Sequence, residues 1–332
     1  MSQVIQKIVG VSVLMILLLM GAMALGVVLG STGSGFRSIG EMVAGLSDPE
    51  SLQYTIAWKI RLPRVIIAAL VGAALSLGGL VFQAILRNPL AEPYILGISG
   101  GAAIGAIFGI LLGLSRFPGV SLFAFFGGMG TLFLVLVISG GRSLMKKEFL
   151  LLAGVMVNAF CSAVIMFLIS LTQDARIHNI MFWLMGDLAS GGNSEARIMA
   201  FLLVPCFFAI FWFSNAMNLL LMGKEMALSM GIPVRLITVS LLLITSFMVS
   251  ATVCYCGLVA FVGLVIPHLL RLVFGADHRV LAPACVFGGA AYLVLCDLLA
   301  RTLPHQGEMP AGVITALVGA PVFIFLLRRT ES

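Results

Sequence analysis

Charged residues are scarce in this chain. They make up 10% of 332 residues, with 19 Lys and Arg against 13 Asp and Glu, whereas apolar residues make up 61%. A soluble domain usually contains about 25% charged residues, and so few charges cannot cover the surface that a soluble protein of this length exposes. Cysteine is also sparse, and all six cysteines fall in apolar stretches. A soluble enzyme, a disordered chain and a disulfide-stabilised scaffold are therefore excluded. The composition predicts an all-α, polytopic membrane protein.

Long uncharged stretches divide the chain into candidate spans. A helix that crosses a bilayer needs about 20 apolar residues. The stretch 236–270 is long enough for two helices, and Gly257 marks a break near its middle. The shorter uncharged run 177–186 predicts a short interfacial helix. The sequence thus predicts ten transmembrane helices, within residues 8–36, 65–86, 93–115, 117–141, 149–173, 198–223, 236–270 (two helices), 280–296 and 309–327.

The distribution of cationic residues gives the orientation. An even number of spans places both termini on one side, and with both termini inside, eleven of the 19 Lys and Arg face the cytoplasm. Cytoplasmic loops usually hold the excess of Lys and Arg, so both termini are predicted to be cytoplasmic. The first apolar run is too long for a signal peptide, and we expect it to remain as the first helix.

Sequence motifs for enzymatic chemistry are missing. The Gly223-Lys224 dipeptide lacks the upstream glycine of a nucleotide-binding loop. The histidines show no metal-ligand spacing, and Cys254 and Cys256 would point apart on a helix, which makes them a poor chelate. We predict no catalytic residue, no metal site, no cofactor and no nucleic-acid binding in this chain. If ATP drives transport, another subunit is expected to bind the ATP and its Mg²⁺.

Ionisable residues at membrane depth, which ion-coupled transporters usually need, are few. Asp297 is the best candidate, and Arg301 follows four residues later on the same helix face. The favoured role is a local ion pair near the outer end, and a coupling role is the alternative. An ion-coupled secondary transporter therefore remains the second functional hypothesis.

Two loops on the predicted cytoplasmic side are unusual. The first is Arg87-Asn88-Pro89-Leu90-Ala91-Glu92-Pro93, whose prolines end one helix and begin another. The second, 214–235, is amphipathic at helical spacing and ends near Pro233. It predicts a short helical hairpin, which fits either a membrane-surface element or a docking element for a cytoplasmic partner. The pattern alone favours neither.

Several motifs together resemble the permease subunits of ABC importers for ferric siderophores, haem and vitamin B12. The resemblance covers residues from about 55 to 329, and the motifs occur in matching order. They are Arg61-Leu-Pro-Arg64, Val71-Gly-Ala-Ala-Leu75, Arg87-Asn-Pro-Leu-Ala-Glu-Pro93, Leu96-Gly97, Leu152-Ala-Gly154, Trp183-Leu-Met-Gly186, Gly263-Leu-Val-Ile-Pro-His-Leu-Leu-Arg271, Asp277-His-Arg279, Glu308-Met-Pro-Ala-Gly312 and Gly319-Ala-Pro321.

The resemblance implies a single permease domain over 1–332 that lies in the cell inner membrane, works as a homodimer and imports by alternating access. It also implies two cytoplasmic ATP-binding subunits, and a periplasmic or lipid-anchored substrate-binding protein. The loop 214–235 matches the family's short coupling helices, and this favours docking to the ATPase over a membrane-surface role. The matching residues are Met222, Gly223, Lys224, Glu225, Ala227, Gly231 and Pro233.

The resemblance also implies roles at the outer side. Arg61, Arg64 and Arg301 occupy positions that meet acidic residues of the binding protein in this family, where charge complementarity steers docking. Interfacial snorkelling is the alternative.

The motif loop on the inner side contains Arg87, Asn88, Pro89, Glu92 and Pro93. Lys146-Lys147-Glu148 stands where some vitamin B12-type members have small hydroxyl residues, and a role in an inner gate stays open. The substrate stays open among siderophore, haem and cobalamin.

Overall fold

The computed structural model describes residues 2–30, 48, 50–143, 147–172, 174–189, 191–304 and 307–330. Every regular element within these ranges is a helix or a helical turn. The helices are α1 (Ser2–Val28), α2 (Leu52–Leu86), α3 (Ile98–Leu111), α4 (Ser121–Ser143), α5 (Lys147–Ser170), α6 (Asp174–Leu184), α7 (Asn193–Trp212), α8 (Ser214–Leu221), α9 (Lys224–Ser229), α10 (Val234–Cys256), α11 (Val262–Phe274), α12 (His278–Thr302) and α13 (Ala311–Thr330).

Seven helices are long and apolar enough to cross a membrane, namely α1, α2, α4, α5, α7, α10 and α12. They confirm seven of the predicted spans. Three shorter apolar helices, α3, α11 and α13, lie in the remaining predicted stretches. α3 has 14 residues and α11 has 13. They are therefore about 20 Å long, which is less than the roughly 30 Å hydrocarbon core.

Two local predictions are confirmed. α10 ends at Cys256, and Gly257 follows with a φ angle of 71°, so the long apolar stretch is broken where the sequence predicts. α6 is the short helix that was predicted over 177–186. Glycine takes such a left-handed angle without the steric cost that a side chain would add, which explains why the break falls at this residue.

α2 is the centre of the bundle. It packs mainly against α12, and also against α10 and α11. A Cβ atom on Gly72 would overlap the backbone of Gly289, and one on Gly79 would overlap the backbone of Gly263. Lipid chains are as apolar as the helices, so association in a membrane depends on close packing rather than on burial from water. Glycines on α2 allow that close packing.

α12 separates two groups of polar residues. Its 25 residues span about 37 Å, enough to cross the hydrocarbon core. α8 lies beside its first residues, and Arg64 lies beside its last turns. The bundle therefore has a group of polar residues at each end, a helix-pair end at α8 and α9 and an arginine end at Arg64 and Arg301. The same two ends were predicted to be cytoplasmic and external.

Candidate functional site

α8 and α9 form the short helical hairpin that the sequence predicts within 214–235, which confirms that element. Gly223 separates the two helices with a φ angle of 120°, and Gly231 follows α9 with a φ angle of 78°. Both angles lie in the left-handed region that favours glycine. Pro233 directly precedes α10. Lys224 begins α9, and its side chain lies outside the described part of the chain.

One side of this helix pair is buried and the other is exposed. Ala227 on α9 is fully buried against the bundle, whereas the carboxylate-bearing residue Glu225 is exposed. Met222, Met226 and Met230 are 62%, 50% and 58% exposed. Methionine is flexible and apolar and adapts to varied partner surfaces, and clustered exposed apolar residues mark interaction sites. The pair can therefore present an apolar surface with one acidic residue to another protein.

Asn218 links α8 to the start of α12. Its amide nitrogen donates to Asp277 Oδ1 at 2.8 Å, and its Oδ1 accepts the backbone N–H of His278 at 2.8 Å. Asp277 in turn accepts the backbone N–H of Arg279 at 3.0 Å and caps α12. Hydrogen bonds from Arg279 hold the pKa of the Asp277 carboxyl well below its usual value. This carboxylate is therefore ionised at neutral pH, and Asn218 joins α8 to the start of α12 through two hydrogen bonds.

Four charged residues form a cluster at the arginine end. Asp297 is fully buried. Its Oδ1 accepts from Arg64 Nε at 2.9 Å, and its Oδ2 lies 3.0 Å from Arg301 Nε. Arg64 also pairs with Glu308, which is 39% exposed. A buried carboxylate is stable only when it is paired, and two guanidinium groups provide that pairing. The predicted Asp297–Arg301 ion pair is confirmed, and the structure adds Arg64 and Glu308.

The three arginines predicted for docking point inward. Arg61, Arg64 and Arg301 are only 6%, 7% and 3% exposed. Arg61 donates to the carbonyl oxygens of Val27 and Val28 at 3.0 and 2.6 Å, near the last turn of α1, where carbonyl groups lack helical partners. This differs from the surface position expected for docking, because each arginine binds oxygen atoms of its own chain. Their docking role stays a prediction.

The motif loop between α2 and α3 turns back into the bundle. Arg87 ends α2 with a φ angle of 48°, and Asn88 Oδ1 accepts the N–H of Leu90 at 2.9 Å. Pro89 follows in this turn, and Pro93 begins a 3₁₀ turn, Pro93–Leu96. A Cβ atom on Gly263 would meet the Pro93 ring. The loop therefore reaches the start of α11 rather than remaining at the bundle surface.

Two side chains of this loop bind the break between α10 and α11. Glu92 Oε1 accepts the backbone N–H of Phe261 at 3.0 Å. The Tyr94 hydroxyl donates to Val259 O at 3.1 Å and accepts the Val259 N–H at 3.2 Å. Non-helical backbone inside a membrane protein needs such partners, because lipid offers none. Glu92 therefore has a definite structural partner, whereas the motif alone left its role unassigned.

α6 and α13 meet the same break. The backbone N–H of Asp187, just after α6, donates to Cys256 O at 2.8 Å. A Cβ atom on Gly312, at the start of α13, would overlap the carbonyl oxygens of Met185 and Leu258. Four parts of the chain, namely the motif loop, the α10–α11 break, the end of α6 and the start of α13, therefore converge at one point.

The residues left open for an inner gate are only partly described. Lys146 lies outside the described residues, as does the side chain of Lys147, and Glu148 is exposed in the first turn of α5. Their part in a gate stays a prediction. Asn218 and Tyr94 contribute to the sites and were not singled out from sequence, and Glu308 was named only as the first residue of a family motif. Asn218 had one available signal, since it is a polar amide inside the uncharged stretch 198–223.

Comparisons with known proteins agree with this arrangement. The FecCD transport family matches residues 14–329. The vitamin B12 import system permease protein BtuC of Klebsiella pneumoniae subsp. pneumoniae is 41% identical over 278 residues, covering 83% of both chains. The BtuC of Salmonella arizonae is 41% identical over 274 residues, covering 82% of this chain and 83% of its own.

A solved transporter described as of the metal-chelate ABC type, in an inward-facing conformation, superposes with a TM-score of 0.86 and 29% identity over 96% of this chain and 99% of its own. PsaBC from Streptococcus pneumoniae, solved with a Fab, shares the fold at a TM-score of 0.55 and 18% identity, over 87% of this chain and 95% of its own. The protein is a multi-pass inner-membrane protein. The chain belongs to the FecCD transport family, and it is a permease subunit of the ABC importers for siderophores, haem and vitamin B12.

Proposed function

We propose that this permease imports a bulky metal chelate in an ATP-driven complex and that cobalamin is the first substrate to test, ahead of ferric siderophores and haem. The observation that carries this proposal is the 41% identity to vitamin B12 permeases over 83% of the chain. Import would proceed by alternating access. The path would be built from apolar helices, which suit a large ligand better than a small polar ion.

Ten spans in one permease domain over 1–332 complete the proposed architecture. The short helices α3, α11 and α13 would provide three spans beside the seven long helices. Because α3 and α11 begin inside the bundle, beside the motif loop and the α10–α11 break, non-helical backbone would cover the remaining depth. This arrangement would keep both termini in the cytoplasm.

A homodimer would bury the outward face of α5. Phe160, Met166 and Phe167 on this helix are 65%, 71% and 60% exposed. Large apolar side chains on two copies of one face can form a self-complementary interface. The translocation path would then lie between the two copies.

Two cytoplasmic ATPase subunits would bind at the α8–α9 pair. Support comes from the exposed Met222, Met226 and Met230 and from the connection of α8 to α12 through Asn218. This chain would have no ATPase site of its own, and ATP and Mg²⁺ would bind to the partner subunits. Closure of those subunits would displace α8 and thus move α12.

A substrate-binding protein would dock at the opposite, periplasmic end, near Arg61, Arg64 and Arg301. Because these arginines already bind carboxylate and carbonyl oxygens of this chain, acidic groups of the partner would have to compete for them. Glu308 is the partly exposed member of the cluster. It is therefore the carboxylate that an incoming partner would displace first.

An ion-coupled transporter is the alternative function. It would require Asp297 to bind and release a coupling ion. In the structure both oxygens of Asp297 lie within 3.0 Å of arginine nitrogens, which supports a structural role. Under the alternative, Asp297→Asn would abolish uptake driven by an ion gradient in proteoliposomes without ATP.

The test is uptake by the complete complex, co-expressed with its ATPase and binding protein, in proteoliposomes containing ATP. Cyanocobalamin, ferrichrome and haemin are the probes. We expect ATP-dependent uptake of at least one, and Glu225→Lys should abolish both uptake and co-purification of the ATPase. Glu50→Lys reverses the charge of an exposed glutamate elsewhere and should leave both unchanged. Normal ATPase co-purification with Glu225→Lys would overturn the docking assignment, and gradient-driven uptake without ATP would overturn the proposed function.

A further inference from the structure

The unwound segment 257–261 is held by side chains from a distant part of the chain. Glu92 and Tyr94 come from the motif loop, more than 160 residues earlier in the sequence. Together they bind three backbone groups, namely the N–H of Phe261 and the N–H and carbonyl of Val259. A continuous helix would satisfy these groups internally. The two side chains therefore replace hydrogen bonds that the break removes.

Phe261 adopts a backbone conformation that its side chain disfavours. Its φ angle is 68°, and the positive φ angles in the described residues otherwise belong to Arg87 and to glycines. The left-handed region crowds the Cβ atom against the backbone, and such a conformation persists only where surrounding contacts impose it. Two contacts do so here. The carboxylate of Glu92 binds the Phe261 N–H, and the aromatic ring packs beside Gly319 of α13.

Phe261 is also the residue from which α11 starts. Its carbonyl accepts the N–H groups of Leu264 and Val265 at 3.2 and 2.9 Å, so the direction of α11 depends on the conformation of Phe261. The ring extends that dependence to α13. The Glu92 carboxyl group therefore contacts the residue from which α11 starts and whose ring packs against α13.

We propose that Glu92 is a positioning residue for transport, which holds Phe261 in its left-handed conformation and thereby couples the motif loop to α11 and α13. The proposal rests on the proposed function as a permease. Glu92 Oε1 can accept this hydrogen bond whether the carboxyl group is ionised or protonated, and the contact offsets part of the strain at Phe261. When the loop moves during transport, Glu92 carries the start of α11 with it.

Two substitutions at Phe261 separate backbone strain from loss of the ring. Phe261→Gly and Phe261→Ala both remove the ring, but only glycine adopts a positive φ angle without strain. The matched pair therefore differs mainly in the cost of the left-handed conformation. Glu92→Ala removes the carboxylate, and Glu92→Gln retains a hydrogen-bond acceptor of the same shape.

The first measurement is the melting temperature of the purified full chain in detergent, which does not depend on transport. We expect Phe261→Gly to melt at a higher temperature than Phe261→Ala, and the gap to narrow when each is combined with Glu92→Ala. The reason is that alanine incurs the cost of the left-handed conformation while Glu92 holds it there and escapes that cost when the carboxylate is removed, whereas glycine incurs none in either background. An equal or reversed order would overturn the inference.

The second measurement is ATP-driven uptake, by the reconstituted complex, of whichever of the three probes the wild type transports. We expect Glu92→Ala to lower the maximal rate about tenfold, which is the size of effect expected from the strain energy of one residue. The substrate concentration that gives half the maximal rate should change little. Glu92→Gln should retain most of the rate. Glu92→Ala with Phe261→Gly should recover activity, whereas Glu92→Ala with Phe261→Ala should not.

The outcomes separate this inference from the function on which it rests. If the wild-type complex transports none of the three probes, the proposed function fails, and the melting temperatures still decide whether Glu92 holds Phe261. If the wild type transports, normal uptake by Glu92→Ala overturns the positioning role. Equal uptake by the glycine and alanine double variants also overturns the positioning role, because the loss of uptake in Glu92→Ala would then not arise at the Phe261 backbone.

Discussion

α2 and α5 are both long apolar helices, but they meet different surroundings. In the most apolar stretch of α2, 89% of the residues are buried, whereas in that of α5 only 22% are buried. α2 has glycines where other backbones approach, such as Gly72 and Gly79. α5 presents large side chains outward, such as Phe160 and Phe167. Hydropathy therefore places both helices in the membrane, and residue size distinguishes the helix that contacts protein from the helix that faces lipid or a second subunit.

The sharpest test of this difference is to add a side chain at Gly79, where α2 approaches the backbone of α11 most closely. Gly79→Val would place carbon atoms inside the backbone of Gly263. Because neither backbone can yield, we expect a loss of about 3 kcal/mol or more in the free energy of unfolding. Chemical unfolding in detergent would measure this loss, and the recovery of monodisperse protein would show whether the variant folds.

Gly130→Val on α4 is the matched control, since a Cβ atom at Gly130 meets no atom within 4 Å. Its unfolding should stay close to that of the wild type. Similar losses for the two variants would show that close backbone approach is not what distinguishes α2.

The next largest effect is expected where α2 meets α12 through charge. Asp297→Ala would leave Arg64 and Arg301 buried without their shared carboxylate. Removing one partner of a buried ion pair costs about 3–5 kcal/mol. Melting temperature and unfolding in detergent would detect this loss. Asp48→Ala, at an exposed aspartate, should have a small effect, and an equally small effect of Asp297→Ala would contradict a central role for the cluster.

α5 provides its own internal comparison. Leu150 on this helix is 1% exposed and Phe160 is 65% exposed. Leu150→Ala should cost about 2–5 kcal/mol in the free energy of unfolding, whereas Phe160→Ala should change it by about 0.5 kcal/mol or less.

If the outward face of α5 forms the homodimer interface, Phe160→Ala should still lower the dimer fraction seen by native mass spectrometry. An unchanged dimer fraction, with unfolding also unchanged, would assign this face to lipid. A large loss in the free energy of unfolding of the isolated chain on Phe160→Ala would instead contradict the exposed position of the Phe160 side chain.

The smallest effect concerns the end of α12 beside α8. Asp277→Ala should cost about 1 kcal/mol, as is typical for the loss of a helix cap, and Asp277→Asn should cost less because asparagine also caps. Because the pKa of Asp277 is lowered in the folded protein, its stabilising effect is present at pH values above its ordinary pKa. It disappears only as the pH falls through the lowered pKa. Unfolding measured at pH 7 and at pH 5 should therefore show the same loss for Asp277→Ala.

The sequence was sufficient for features that depend on local pattern. The uncharged stretches predicted the long helices, Gly257 predicted the break after α10, and the amphipathic stretch 214–235 predicted α8 and α9. The four-residue spacing predicted the ion pair between Asp297 and Arg301. In each case the information lies within one continuous stretch of sequence, where geometry follows directly from the spacing of residues.

Contacts between distant segments could not be predicted in the same way. Arg64 and Asp297 are 233 residues apart, and Glu92 and Phe261 are 169 residues apart. No local periodicity links such pairs, since their meeting depends on how the helices pack. The same limit explains the arginines of the outer end. The family resemblance implied a partner outside the chain for them, but packing brings Asp297 and the end of α1 within their reach.

The unwound segment 257–261 has a mechanical consequence for the whole bundle. A single helix from Val234 to Phe274 would be a stiff rod, and rotation at one end would appear at the other. The segment instead contains five residues, and therefore ten φ and ψ angles, that no helical ladder restrains. Glu92 and Tyr94 of the motif loop hold its backbone instead, so the tilt of α11 relative to α10 can follow a movement of that loop. One long apolar stretch of sequence thus forms two rods, and a distant part of the chain holds the link between them.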